Sequence, residues 1–286
     1  MTSVVLLSPS PGSGKTTVAV ALCQRLRALG RTCSISRRGG DTGAAFDAAL
    51  FSRLFAADRT DVSIIEAPGG DPSAAADARA VVIADAAADP LAVAAFCKDV
   101  EPRLAGLVLN RVAVRRSESA VGALEALGVK VLLSLPEDRL LATPTLQRVA
   151  EVLHAQSMFL DSDGEHALEG LVIASIGADP GQDYFLRRKA SAVIVRSDKP
   201  DLQLAAINAG ASCLIVTGGL PFLSYVTDRA RADEIPLIRT QMDTVATVKT
   251  IENLYAAEGF SGSPGKLSRL ALLTDGFDPT PLLVAS

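Results

Sequence analysis

The chain has 286 residues, about the length of two ordinary domains, with 49% hydrophobic residues, 4% aromatics and no Trp. A net charge of −4 and a pI near 5.3 argue against nucleic acid or an anionic membrane as the main partner. The scarcity of aromatics also removes the stacking platforms that single-strand binders use. Cys23, Cys33, Cys97 and Cys213 lie far apart in apolar stretches, and only His154 and His166 could supply imidazole. They read as buried reduced thiols, not as a zinc or iron–sulfur site. No apolar run reaches transmembrane length, and Met1 leads into an apolar strand with no basic segment between, so the expectation is a cytoplasmic protein.

Val4–Leu7 (VVLL) reads as a fully buried strand. A Gly/Pro/Ser turn follows, and Gly14-Lys15-Thr16-Thr17 opens an apolar-periodic helix that Gly30 stops. Arg31–Ser36 is a short strand, and RRGGDTGAAFDAALFSRLF is a loop feeding an amphipathic helix. Further strands are expected at 61–66, 80–84, 104–110 and 129–135, with helices at 90–101, 116–127 and 144–156. Strands so uniformly apolar, spaced by helices, describe an α/β parallel sheet covered on both faces.

Polar residues and a glycine interrupt the pattern at 157–167, where a domain boundary is expected. A second βα series follows: strands LVIASI, SAVIV, SCLIVTGG and IPLIRT, with helices near 181–188, 200–209, 221–232 and 243–257. The expected organisation is a first α/β domain over 1–158, a smaller α/β domain over 165–258, and a flexible tail over 259–286.

The strand–loop–helix at 3–17, SVVLLSPSPGSGKTT, is what a phosphate-binding loop needs. Backbone N–H groups of Gly12, Ser13, Gly14, Lys15, Thr16 and Thr17 would face an anion, Lys15 would reach the β/γ-phosphates, and the Thr16 hydroxyl would meet Mg²⁺. Pro9 stands where the usual Gly-x-x-x-x-Gly-Lys-Ser/Thr pattern begins with glycine. The implied ligand is a nucleoside triphosphate, ATP with Mg²⁺.

In parallel sheets ligands bind beyond the carboxyl ends of strands, where SPSPGSGKT, SRRGGD, EAPGG, NRV and PEDR all fall. Glu66, a carboxylate before a Gly-rich turn, reads as a metal ligand. Asp41 and Asp47 are each either a further ligand or a helix cap. Arg37 and Arg38 could clamp a substrate carboxylate or phosphate, or steady a transferring phosphoryl group, although strand alternation lets only one point inward. Asn110, with one amide donor and one acceptor, could match adenine's edge, and Pro136–Arg139 would flank the same base.

Taken in order, SPSPGSGKTT, EAPGG, LVLNRV and LPEDR resemble the dethiobiotin synthetase-like branch of P-loop proteins, which includes cobyrinate amidotransferase-type proteins. The resemblance implies Mg²⁺ on Glu66 and adenine on Asn110. This chain departs from the branch in having Arg37-Arg38-Gly39 where a Lys-Pro is usual, and the deviant lysine of the partitioning ATPases would fall at Ser10. The later stretches SDKPDLQLAAINAGASCLIVTGGL and PLIRTQMDTVATVKTIE resemble a DRTGG domain, with Ser197-Asp198-Lys199-Pro200-Asp201 in place of Gly-Asp-Arg-x-Asp. Thr217-Gly218-Gly219 and Asp243-Thr244 keep the pattern.

The pairing resembles the N-terminal half of long bacterial phosphate acetyltransferases without their acetyl-transferring domain, so that activity is not expected. The reading is an ATP- and Mg²⁺-binding protein with a sensor or dimerisation domain, acting as a slow ATPase and metabolic regulator. Its rivals are a carboxylate-activating ligase or kinase and a non-hydrolysing adaptor. A homodimer is expected, with a small carboxylate or nucleotide as the second domain's ligand.

Overall fold

The computed structural model describes residues 2–39, 44–56, 59–67, 71, 73, 78–160, 168, 170–174, 185–187, 191–257 and 259–283. Two compact units emerge, one of Met1–Leu141 with Lys266–Ser286 and one of Ala142–Gly265.

In the first unit the strands are β1 (Thr2–Leu7), β2 (Cys33–Arg37), β3 (Val62–Glu66), β4 (Arg79–Asp85), β5 (Leu104–Val112) and β6 (Val131–Pro136). They form one sheet in the order β2-β3-β1-β4-β5-β6, and every pair in it is parallel. Val5 and Leu7 join Val82, Val93 and Cys97 in one core cluster, while the alternate residues Val4 and Leu6 are also fully buried. Both faces of β1 are therefore covered, as its unbroken apolar run requires. Helices α1 (Lys15–Ala28), α2 (Ala44–Phe55), α3 (Pro90–Val100) and α4 (Ser117–Glu125) connect the strands. Asp89 caps α3, accepting from the Leu91 and Ala92 amides, with Pro90 at the first helical position. Because β1 lies between β3 and β4, the chain reverses its winding there, and the crevice outside the carboxyl ends opens at the end of β1.

The second unit holds a smaller sheet of β7 (Gln156–Met158), β8 (Leu171–Ile173), β9 (Ala192–Arg196), β10 (Cys213–Thr217) and β11 (Leu237–Arg239), in the order β7-β11-β10-β9-β8. All pairs are parallel except β7 with β11. After α5 (Arg139–Ala142), its helices are α6 (Leu146–Val152), α7 (Pro200–Asn208), α8 (Ser224–Ala232) and α9 (Thr244–Ala257). Of the expected helix near 181–188, only 185–187 falls among the described residues.

The units divide differently from the sequence expectation. Helix α6, expected to close the first domain, puts Leu146, Val149 and Leu153 into a core with Ile194, Ile215 and Ile238 of the second. Its periodicity marks a buried face without saying which sheet that face meets. The terminal segment, expected as a flexible tail, forms α10 (Pro264–Thr274) and α11 (Thr280–Leu283). Leu270 and Leu282 are fully buried, and Leu273, Phe277 and Pro281 line a cleft of about 470 Å³ with Leu132 and Ser134. Side chains of the first unit hold the segment in place. Arg25 donates to the Phe277 carbonyl (2.9 Å), Arg79 to that of Pro281 (3.2 Å), and Arg269 pairs with Asp138 (2.7 Å).

All four cysteines are buried and free, as expected from sequence. Burial raises the Cys97 thiol to about 11 and pushes those of Cys23 and Cys213 up as well. No helix among the described residues is long and apolar enough to cross a membrane.

Since Leu270 is fully buried, Leu270→Ala is expected to cost about 2–5 kcal/mol in urea unfolding. A cost below about 0.5 kcal/mol, the usual scale of surface changes, would show that the segment adds nothing to the core.

Candidate nucleotide site

The loop after β1 is organised by a buried serine. Ser8 donates its hydroxyl to the Ser10 carbonyl, and accepts from the Ser10 amide (3.2 Å) and the Ser13 hydroxyl (2.7 Å). Gly12 and Gly14 take positive φ of 70° and 87°, a conformation open to glycine at no steric cost. Gly14 caps α1 with its backbone alone. Pro9 and Pro11 have no N–H, so the donors available to an anion run from Gly12 through Thr17, at the positive end of α1.

Strand register assembles the acidic part. Leu6 and Arg37 both stand opposite Glu66, so Arg37 and Glu66 are cross-strand neighbours one strand away from the loop. Thr16 donates to both Glu66 oxygens, at 3.0 Å to Oε2 and 3.3 Å to Oε1. Arg37 forms an ion pair with Asp47 on the first turn of α2 and approaches Glu66 at 3.5 Å. Both carboxylates are buried, Glu66 at 3% exposure and Asp47 at 5%. Burial, and then the Asp47 charge, lift the Glu66 carboxyl above its ordinary 4.5, while Arg37, the Thr16 hydrogen bond and Lys15 pull it back. Arg38 has an exposed side chain, as alternation anticipated, and gives its backbone amide to the Glu66 carbonyl (2.9 Å). Asp41, Gly69 and Gly70 lie outside the described residues.

Thr16, Glu66 and Asp47 are hard oxygen donors. Among the described residues no group of three His, Cys, Asp or Glu side chains could hold a metal by itself. That donor set fits Mg²⁺, which takes one or two carboxylates, waters and phosphate oxygens rather than an all-protein cage.

The end of β5 reaches the loop after β1. The Asn110 amide, expected at a base edge, donates to the Ser13 carbonyl (2.9 Å) from a buried position. Arg111, to which the sequence assigned no role, has φ 56°, donates to the Gly12 carbonyl (2.7 Å) and pairs with Asp85. Its signal was available only as the arginine of the NRV run. Pro136 ends β6 opposite Val112. Asp138, in the stretch expected to flank a base, accepts from the Leu140 and Leu141 amides (3.0 and 3.3 Å) and pairs with Arg269. A free first turn at α5 and a cation from α10 claim it.

In the second unit Gly218 and Gly219 take positive φ of 87° and 75°. Their amides are spent on the Met242 and Thr240 carbonyls (2.9 and 3.1 Å) and so tie strand ends together. Thr217 and Thr244 share a hydroxyl hydrogen bond of 2.9 Å, and Asp243 caps α9 through the Ala246 amide (2.7 Å). Asp198, just before α7, pairs with Arg196, because a guanidinium two residues away on the strand end offers it two donors.

Residues 148–254 match the DRTGG domain family. Among solved structures, the CBS and DRTGG domains of the regulatory region of Clostridium perfringens pyrophosphatase, complexed with the activator diadenosine tetraphosphate, are 22% identical over 38% of this chain and 46% of that one, with a TM-score of 0.34. The chain thus spans under half of that relative's length. The MinC:MinD cell division complex of Aquifex aeolicus is 14% identical over 49% of this chain and 83% of that one, with a TM-score of 0.39. The septum site-determining protein MinD of Pyrococcus horikoshii, complexed with Mg-ADP, is 16% identical over the same shares, with a TM-score of 0.35. Likenesses this partial assign this chain neither a ligand nor an activity.

Glu66 makes the site's electrostatics measurable. Its carboxyl is raised in the folded state, so unfolding releases a proton once pH exceeds the ordinary 4.5. Stability from this group is full below that pH and is lost as pH rises through the raised value. Urea unfolding of the ligand-free protein should therefore show wild type losing ground to Glu66→Gln as pH rises above about 4.5. A difference that does not vary with pH would contradict the burial cause.

Proposed function

We propose that the protein binds ATP with Mg²⁺ at the carboxyl edge of the first sheet and couples the bound state to its DRTGG domain as a slow-turnover regulatory switch. The observation that carries this reading is the Thr16 hydroxyl, at the second position of α1, donating to the buried carboxylate of Glu66 immediately after Lys15. In a strand–loop–helix context, a lysine, a hydroxyl and a strand-end carboxylate make up a triphosphate and metal site.

The amides of Gly12, Ser13, Gly14, Lys15, Thr16 and Thr17 line the phosphate path, and Lys15 supplies a cation to its β/γ end. Thr16, Glu66 and Asp47 would hold Mg²⁺, which when bound offsets the charge of the phosphate oxygens. Arg37 keeps two buried carboxylates compensated, and a guanidinium there would steady charge developing on a terminal phosphate. Arg38 lies at the exposed rim, and Pro136 flanks the base. The DRTGG match supports the regulatory half of the reading, with a homodimer and a small carboxylate or nucleotide ligand of the second domain as its working parts.

Calorimetry of Mg–ATP binding with phosphate release, on wild type and Lys15→Ala, tests the reading. Binding by wild type with slow release is expected, weakened roughly 10- to 100-fold in Lys15→Ala, the worth of a hydrogen bond to a charged group. Turnover strongly accelerated by a small carboxylic acid would move the assignment to a ligase. Absence of wild-type binding would refute it.

A further inference from the structure

The two donors at the end of β5 reach the loop from its outer side. Arg111 holds the Gly12 carbonyl and Asn110 holds that of Ser13. A trans peptide is planar, so its N–H points opposite to its C=O. Fixing the Gly12 carbonyl therefore aims the Ser13 amide away from Arg111. Fixing the Ser13 carbonyl likewise aims the Gly14 amide away from Asn110.

Other observations fit this division of labour. Pro9 replaces the first glycine of the usual pattern, and Pro9 and Pro11 contribute no amide, so the loop depends on the few it has. Gly14 is required twice over: its φ is 87°, and a Cβ there would stand 2.2 Å from Asn110 Nδ2. Arg111 sits in the left-handed region, which a non-glycine residue occupies only when its surroundings hold it. Asp85 provides that hold. It lies on β4 opposite Asn110, accepts from the Arg111 guanidinium, and is itself fixed by the Ala87 amide (2.7 Å).

We infer that Asn110 and Arg111 are positioning residues that aim the Ser13 and Gly14 amides at phosphate. This rests on the proposed nucleotide site and says how its loop is shaped. A base reader and a loop positioner differ in one respect: only the positioner affects a ligand that has no base.

The test is calorimetry with two probes, Mg–ATP and Mg–tripolyphosphate, on wild type, Asn110→Asp, Arg111→Ala, Arg111→Lys and Asp85→Asn. Melting of each ligand-free variant checks that it is folded. Asn110→Asp and Arg111→Ala should weaken both probes by the same factor, on the order of 10-fold, leaving their ratio unchanged. Arg111→Lys, which keeps a cationic donor, should recover most of the loss. Asp85→Asn, which alters only the anchor, should give a smaller loss shared by both probes. Weakening of ATP alone by Asn110→Asp would restore the base-reading role and overturn the inference, as would unchanged affinities in all variants. Failure of wild type to bind either probe would instead overturn the nucleotide site itself.

Discussion

Two buried carboxylates share one guanidinium at the heart of the first unit, and the arrangement around them follows from that. Glu66 and Asp47 cannot both stay ionised in a space nearly closed to water unless a cation lies between them, and Arg37 is that cation. The pairing is built into strand register: β2 and β3 lie side by side with Arg37 opposite Glu66, while β3 lies beside β1 with Glu66 opposite Leu6. The same strand order therefore delivers the acid pair to the mouth of the loop, where Thr16 closes the contact. Burial, and then the charge of Asp47, lift the Glu66 carboxyl, and Arg37 pulls it only part of the way back.

The loop itself is shaped from several directions. Ser8 draws it together from beneath, glycines at 12 and 14 allow its left-handed turns, and the end of β5 holds two of its carbonyls. β4 and β5 thereby take part in a site that a reading of the Gly-Lys-Thr motif alone would confine to β1 and α1. In the DRTGG unit similar-looking glycines do a different job. There the amides close a strand-end turn, and the nearby side chains satisfy one another.

Much of this was legible in the sequence because apolar runs leave little freedom. VVLL, DVSIIE and LAGLVLN read as strands and form β1, β3 and β5, with β3 alternating between buried and half-buried residues. Alternation foresaw that only one of Arg37 and Arg38 would face inward. What could not be read were partners lying far away in sequence. Nothing in Leu146, Val149 and Leu153 distinguishes one parallel sheet from another. β7 is three exposed residues long and pairs antiparallel at an edge, with too little pattern to announce a strand. The hydrogen bond from Asn110 to the Ser13 carbonyl could not be read either, because a backbone carbonyl 97 positions away carries no residue-type signal. The segment from 259 onward reads as a flexible tail, yet Pro264 suits the first position of a helix and begins α10.

The central claim is that the loop between β1 and α1 receives a triphosphate at its amides. Hydrogen–deuterium exchange of a peptide spanning 8–18, with and without Mg–ATP, tests it most directly. The account predicts slowed exchange at the amides of Gly12 through Thr17 when nucleotide is present, accompanied by slowing at the Glu66 end of β3. Saturating Mg–ATP that leaves exchange in 8–18 unchanged would contradict it.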